Sequence, residues 1–392
     1  MSEWQEVTID YICKNVFSGG TPLTSKKEFY LNGNIPWLKT KEVNQCRIFS
    51  TENYISRLGL ENSSAKLVPV NSVTVAMYGD GQTAGRVGLV KVPLATNQAC
   101  CNLVIDEKIA CAEFVFYHLI GAYDDLVARK TGSGQQNLNA SLVKAFEINL
   151  PTLHEQKAIA AVLSSLDDKI DLLHRQNATL ESMAETLFRQ WFVVEAGEDW
   201  AVKPLRDFVK VIDNRGKTPP YQDISTPYPI IEVNALTGGN RLVDYSAIRK
   251  YVSEDTFNTW FRGHPKKYDS LISTVGSIGE ISMYLIEKGS IAQNVVALSA
   301  INISPIYLFE CLKSSKDEIK ELDIGSVQPS IKVPHLLSIK IAIPPVDKLK
   351  MFDIQVEHYL EKMFVNYNQI RTLEKLRDNL LPKLMSGEAR VS

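Results

Sequence analysis

Leu150-Pro151-Thr152-Leu153-His154-Glu155-Gln156-Lys157-Ala158-Ile159 marks the point where the hydrophobic period of the chain changes. Upstream, short apolar runs alternate with Gly, Asn and Asp, the chemistry of strands and turns. Downstream, Ile159, Leu163, Leu166, Ile170, Leu173, Asn177, Leu180, Ala184, Leu187 and Trp191 recur at alternating steps of four and three. That is a heptad seam, and it predicts a long amphipathic helix from Glu155 onward. Ile343-Pro344-Pro345 opens the same pattern again, through Phe352, Val356, Tyr359, Met363, Asn366, Ile370, Leu373, Arg377, Leu380 and Leu384. Pro151 and Pro344 stand just ahead of the helices, as punctuation there should. Pro382 is expected to limit how far the second helix runs undisturbed.

The rest of the chain is also written twice. A shift of 193 lays Gly132-Ser133 on Gly325-Ser326, Gln135 on Gln328, Ile148 on Ile341, Pro151 on Pro344, Leu180 on Leu373 and Leu187 on Leu380. Near the starts the shift is 196 or 197, with Trp4 on Trp200, Gly19 on Gly216 and Thr21-Pro22 on Thr218-Pro219. Residues 73–78 read as a strand, Gly79-Asp80-Gly81 as a turn and residues 87–92 as the partner strand. Residues 110–128 have helical spacing. The second half follows suit at 271–275, 276–279 and 280–286. The organisation expected is a first domain at 1–150, a central long helix at 151–196, a second domain at 197–343 and a C-terminal long helix at 344–392. Each domain reads as α+β around a twisted sheet. A duplicated unit implies an internal pseudo-two-fold repeat, and such objects suit two-part targets, as palindromic DNA readers do.

Connectivity predicts that the long helices pair antiparallel as a coiled coil, because the second starts from the domain where the first ends. The seam would use Leu166, Ile170, Leu173, Asn177, Leu180 and Leu187 against Tyr359, Met363, Asn366, Ile370, Leu373 and Leu380. Seam asparagines commonly fix register; a solvated or partner-facing position is the other reading of Asn177 and Asn366. Phe188, Trp191, Phe192 and Val193 widen the apolar face and suggest a further partner. A helix of about 35 residues spans about 50 Å, so the pair would act as a ruler between the domains.

Composition narrows the function. The 392 residues are 45% hydrophobic and 22% charged, with net charge −2 and pI near 6.4. This is ordinary globular content without the basic field of a stand-alone nucleic-acid binder. The start, Met-Ser-Glu-Trp-Gln-Glu, does not read as a signal peptide, and no apolar run would span a membrane. A cytoplasmic protein is expected. The six cysteines lack Cys-x-x-Cys spacing and read as small buried hydrophobes in a reducing compartment. The six histidines lack paired ligand spacing.

Catalytic motifs fail on inspection. Gly216-Lys217-Thr218 imitates the end of a phosphate-binding loop, but Val211 stands where its first glycine belongs. Thr218-Pro219-Pro220-Tyr221 imitates an amino-methyltransferase motif, yet a threonine hydroxyl replaces the required amide or carboxylate oxygen. There is no Gly-x-Ser-x-Gly elbow and no acid-acid-lysine cluster for a nuclease metal. No catalytic or metal residue is predicted. What remains is binding chemistry in loops: Lys39-Thr40-Lys41, Arg129-Lys130 with Gln135 and Asn137, Arg215 and Lys217, and Arg262 with Lys266-Lys267. Their donors and acceptors match phosphates and purine edges. Each cluster alone also reads as a solvated loop; recurrence in both halves favours binding.

The segment from Leu150-Pro151 through Leu166-Asp167-Asp168-Lys169-Ile170, its echo at Ile343-Pro344-Pro345 and Leu380-Leu381-Pro382-Lys383-Leu384-Met385-Ser386-Gly387, and the Asn97-Gln98 and Gln293-Asn294 steps resemble the specificity (S) subunit of type I restriction-modification systems. The second copy departs at Asp347-Lys348-Leu349, where Glu-Gln-Lys would be expected. The resemblance implies two target recognition domains, each reading one half of a split double-stranded DNA sequence, and helices that set the gap. It implies two modification (methyltransferase) subunits carrying S-adenosylmethionine, and a restriction (motor-nuclease) subunit using ATP and Mg. No cofactor is expected in this chain. A self-contained DNA methyltransferase or nuclease, and a coiled-coil scaffold that never touches DNA, are the competing readings.

Overall fold

The structure, a computed structural model, describes residues 4–79, 83–130, 137–325 and 327–391. It divides into two compact α+β units, Met1–Ile170 with Leu373–Ser392, and Asp171–Thr372.

In the first unit a five-stranded sheet runs in the order Cys13–Ser18, Cys100–Ile105, Val73–Ala76, Val87–Val90, Cys46–Ile48. Val73–Ala76 and Val87–Val90 are buried along their whole length. Thr74, the polar residue of the first, is satisfied there by donating to Asn102 Oδ1 at 2.8 Å. The helix Ala112–Gly121 covers one face, packing Phe114, Phe116 and Leu119 into a core with Val75, Leu89 and Leu103. A smaller sheet joins Tyr54–Ile55, Ile35–Leu38, Leu94–Thr96 and Leu67–Val68. Gln5–Thr8 pairs antiparallel with Glu147–Leu150, so the chain's start is tied to the strand that feeds the central helix.

The second unit repeats this plan. Val209–Asp213, Val295–Ala300, Ser270–Ser273 and Ile281–Met283 form a sheet in the same order, without a fifth strand among the described residues. Ile230–Ile231 lies parallel to Ser290–Ile291, as Trp37-Leu38 lies parallel to Ala95-Thr96. Val202–Pro204 pairs with Lys340–Ala342 in the place of the terminal pair of the first unit. The helix Pro305–Ser314 takes the role of Ala112–Gly121, capped by the Ser304 hydroxyl with proline at its first position.

The long helices are Leu153–Arg189, which ends in a π turn at Gln190–Val194, and Val346–Met385. Pro382 lies inside the second helix and does not stop it. It sits in the last turn, where the missing N–H forfeits a single bond and little helix remains to be displaced.

In the first unit Arg377 Nη1 donates to Asp167 Oδ1 at 2.9 Å, and Ile159, Leu163, Leu381 and Leu384 share one core. In the second, Asn366 meets Asn177 while Phe352 meets Phe188, ring centroids 6.4 Å apart. Partner numbers fall as the first helix advances, so the segments run antiparallel there.

Of the seam residues, Ile170, Leu173, Met363, Asn366 and Ile370 are buried; Leu166, Asn177, Leu180, Leu187, Tyr359, Leu373 and Leu380 are half-buried. The fully covered line steps aside by one residue at Asp167, Phe188, Leu360 and Leu381. A 3.6-residue helix drifts against a 3.5-residue repeat, and here the domain cores take up the drifted side chains. Phe188 and Phe192 belong to the core of their own unit, against Tyr307 at 5.8 and 4.7 Å. Their surplus apolar surface is therefore satisfied within the chain; Val193 stays 59% exposed.

Candidate nucleic-acid interface

In the first unit the Gly19-Gly20-Thr21-Pro22 loop is pressed onto the segment after Thr96. A Cβ on Gly19 would lie 2.2 Å from Thr96 O, and one on Gly20 2.3 Å from Ala65 N, so only glycine allows the approach. Trp37 Nε1 donates to Gly20 O at 3.1 Å, and Tyr30 Oη to Pro22 O at 2.6 Å. On this clamped loop Thr21 Oγ1 donates to Gln98 Oε1 at an exposed position. Lys39 extends over the Trp37 ring, 5.1 Å from its centroid, and reaches Asn53 Oδ1 at 3.2 Å. A cation over an indole face keeps its charge in place without being neutralised.

The second unit arrives at the same arrangement by other means. Asn214, fully buried, donates from Nδ2 to Gly263 O and Ser290 Oγ and accepts from Arg262 N at 3.1 Å. This pins the turn closed by Lys217 N to Asn214 O at 3.0 Å. Gly216 supplies its φ of +74°. Thr218 Oγ1 then donates to Gln293 Oε1 at 3.5 Å, and Lys217 stands over Trp260 at 5.8 Å.

The basic residues expected from sequence divide into groups. Arg215, Lys217, Arg262 and Lys266 surround Asp213 and Asn214: Arg215 grips the Asp213 carboxylate through Nε and Nη2, and Arg262 Nη1 donates to Arg215 O at 2.8 Å. Partial burial alone would raise the Asp213 carboxyl, but its bonds from Arg215 and the charge of Arg262 hold it below the ordinary range. A cavity of about 320 Å³ opens here, lined by Lys210, Asp213, Arg262, His264 and Lys266. Lys267 turns elsewhere, pairing with Glu361 of the C-terminal helix at 3.5 Å. In the first unit Lys39, Thr40 and Lys41 form one short turn, with Lys41 paired to Glu52 at 2.6 Å. Arg129 lies over Phe146 at 4.8 Å and donates to Ala145 O, and Lys130 N closes on Val127 O. Asn137 is half-buried, and Gln135 lies outside the described residues. No hydrogen bond or ion pair among the described residues joins the Lys39–Lys41 turn to Arg129 or Lys130.

Sequence reasoning did not put Thr21 with Gln98, or Thr218 with Gln293, in the site. The signal existed: both pairs sit in segments that recur between the halves. Among the described residues no group of His, Cys, Asp and Glu could hold a metal ion. No helix there is long and apolar enough to cross a membrane. None of the six cysteines forms a disulfide, and burial pushes the Cys13, Cys101 and Cys311 thiols up to about 12.

The duplicated loops correspond to a duplicated sequence family. The model of the type I restriction modification DNA specificity domain matches residues 1–182 and again 197–377. The chain belongs to that family. Among its relatives is the type I restriction enzyme MjaIX specificity subunit of Methanocaldococcus jannaschii, 28% identical over 96% of this chain and 91% of the relative. The EcoR124I/EcoR124II specificity subunit of Escherichia coli is 32% identical, over 38% of each chain. The crystal structure of the type I restriction-modification S subunit from M. genitalium has the same fold, with TM-score 0.63 and 18% identity over 97% of this chain and 96% of that one. Two specificity domains in one chain account for the two-fold repetition of strands, loops and helices.

Proposed function

We propose that this chain is the non-catalytic specificity subunit of a cytoplasmic type I restriction-modification complex. Residues 1–150 and 197–343 are its target recognition domains, each reading one half of a split double-stranded DNA site. The helical segments 151–196 and 344–392 set the gap and carry two modification subunits, which bring S-adenosylmethionine. A restriction subunit with ATP and Mg joins for cleavage. One observation carries this reading: both specificity domains hold an exposed Thr–Gln pair with a lysine over a tryptophan beside it. Lys39, Thr40, Lys41, Arg129, Lys130 and Asn137 are assigned to the first half-site, and Arg215, Lys217, Arg262 and Lys266 to the second.

Domain exchange tests the reading. With residues 1–150 replaced by those of another family member, methylome sequencing of a host carrying the complex should show one half of the methylated motif changed and the other kept. A heptad inserted into both helices should change only the gap. An exchange that altered neither half would end the proposal.

A further inference from the structure

We propose that Thr21 with Gln98, and Thr218 with Gln293, are two copies of a phosphate clamp that grips the DNA backbone at each half-site whatever its sequence. This rests on the DNA-reading function above and assigns residues to a part of it.

The members of each pair are 77 and 75 residues apart, so the fold must bring them together twice. It does so with unrelated supports: two tightly packed glycines and the Trp37 indole in one unit, the buried Asn214 amide in the other. The flanking lysines also come from different places. Lys39 follows the strand Ile35–Leu38, whereas Lys217 lies in the loop itself; Trp260 follows the helix Glu254–Thr259. A hydrogen bond between two exposed side chains adds little to stability, so the fold alone has no need of it in both units. Different scaffolding that ends in the same exposed chemistry points to a shared ligand.

The surroundings indicate which part of DNA that is. Arg215 and Arg262 flank the second pair, whereas among the described residues no arginine hydrogen bond reaches the Gly19–Pro22 loop of the first. Groups that differ between the domains can discriminate bases; a group common to both reads what any two half-sites have in common, the sugar-phosphate backbone. The threonine hydroxyl gives its proton to the glutamine Oε1, at a longer 3.5 Å in the second unit, which leaves Nε2 as the remaining donor of each pair. Each glutamine Nε2 has no partner among the described residues and is available to donate to a phosphate oxygen, with the neighbouring ammonium supplying charge.

The test uses the complex assembled with its modification subunits and three duplexes of equal length, one bearing the motif found by methylome sequencing and two of unrelated sequence. Gln98→Ala and Gln293→Ala should each weaken binding to all three by about fivefold, and the double variant by about 25-fold if the sites are independent. The salt slope should not change, because glutamine displaces no counterion. Thr21→Val should behave as Gln98→Ala, and Thr21→Ser, which keeps the hydroxyl, should bind as wild type. Unchanged affinity, or a loss confined to the motif-bearing duplex, overturns the clamp. A wild-type complex that binds none of the duplexes would instead bring down the DNA-reading function on which it rests.

Discussion

Asn366 donates from Nδ2 to Asn177 Oδ1 at 2.9 Å across the helix pair, with Gln176 Oε1 a second acceptor at 3.4 Å. Asn366 is fully buried and Asn177 only half-buried. The bond places a polar contact among the apolar side chains of Leu173, Met363 and Ile370, so a slipped register would bury an unpaired amide.

Asn177→Leu alone should therefore cost about 1–2 kcal/mol, by leaving the Asn366 amide poorly satisfied in an apolar setting. Leucine at both positions should recover that loss: a double-mutant cycle by thermal unfolding is expected to show positive coupling, with the double variant at least as stable as wild type. A double variant less stable than either single one would contradict a register role.

The second domain is fastened by a buried ion pair. Arg241, with no exposed side chain, donates through both terminal nitrogens to Glu310, while Glu181 and Glu185 of the central helix lie 3.8 and 3.9 Å from its guanidinium. Glu310→Ala should destabilise by about 3 kcal/mol, since it removes the bidentate partner of a buried cation and leaves only the longer contacts to Glu181 and Glu185. Arg241→Met with Glu310→Met should be much milder. Calorimetry of the three variants distinguishes these outcomes.

His118 lies under the core of the first unit, beside Phe114 at 6.0 Å, with its Nδ1 buried and unpartnered. Burial lowers its pKa from 6.5 to about 4. The unfolded chain then binds a proton that the folded one refuses, so this stability is full above pH 6.5 and is lost as pH falls toward 4. His118→Phe should flatten the fall in melting temperature between pH 6.5 and pH 4, by an amount corresponding to roughly 3 kcal/mol. An unchanged acid limb would show that other groups govern it.

Lys39 and Lys217 each stand over a tryptophan, with no carboxylate paired to them among the described residues. If each neutralises one phosphate, Lys39→Gln and Lys217→Gln should each reduce the slope of log affinity against log salt by about 0.9. Lys41→Gln should have a smaller effect, because Lys41 already pairs with Glu52. Binding titrations at several salt concentrations provide the measurement.

Periodicity and repetition made the architecture legible before any coordinates. The heptads ending at Trp191 and Leu384 are long enough to identify two helices, and the runs at 73–78 and 271–275 pointed to Val73–Ala76 and Ser270–Ser273, strands that are buried throughout. The site was less legible. Lys267 and Arg215 look like free cations in the sequence, yet one pairs with a helix glutamate and the other with Asp213. Charge type is written locally; whether a charge has a partner depends on what folds beside it.

The chain's own order of residues determined that there are two α+β units of one plan, each leading into a long amphipathic helix, because hydrophobic spacing and turn chemistry act over a few residues. Only the tertiary structure decided which exposed groups meet. Thr21 and Gln98, or Thr218 and Gln293, become neighbours through sheet pairing and loop clamping across more than seventy residues. Local pattern carries no record of such encounters, since closing so long a loop depends on the packing of the whole unit.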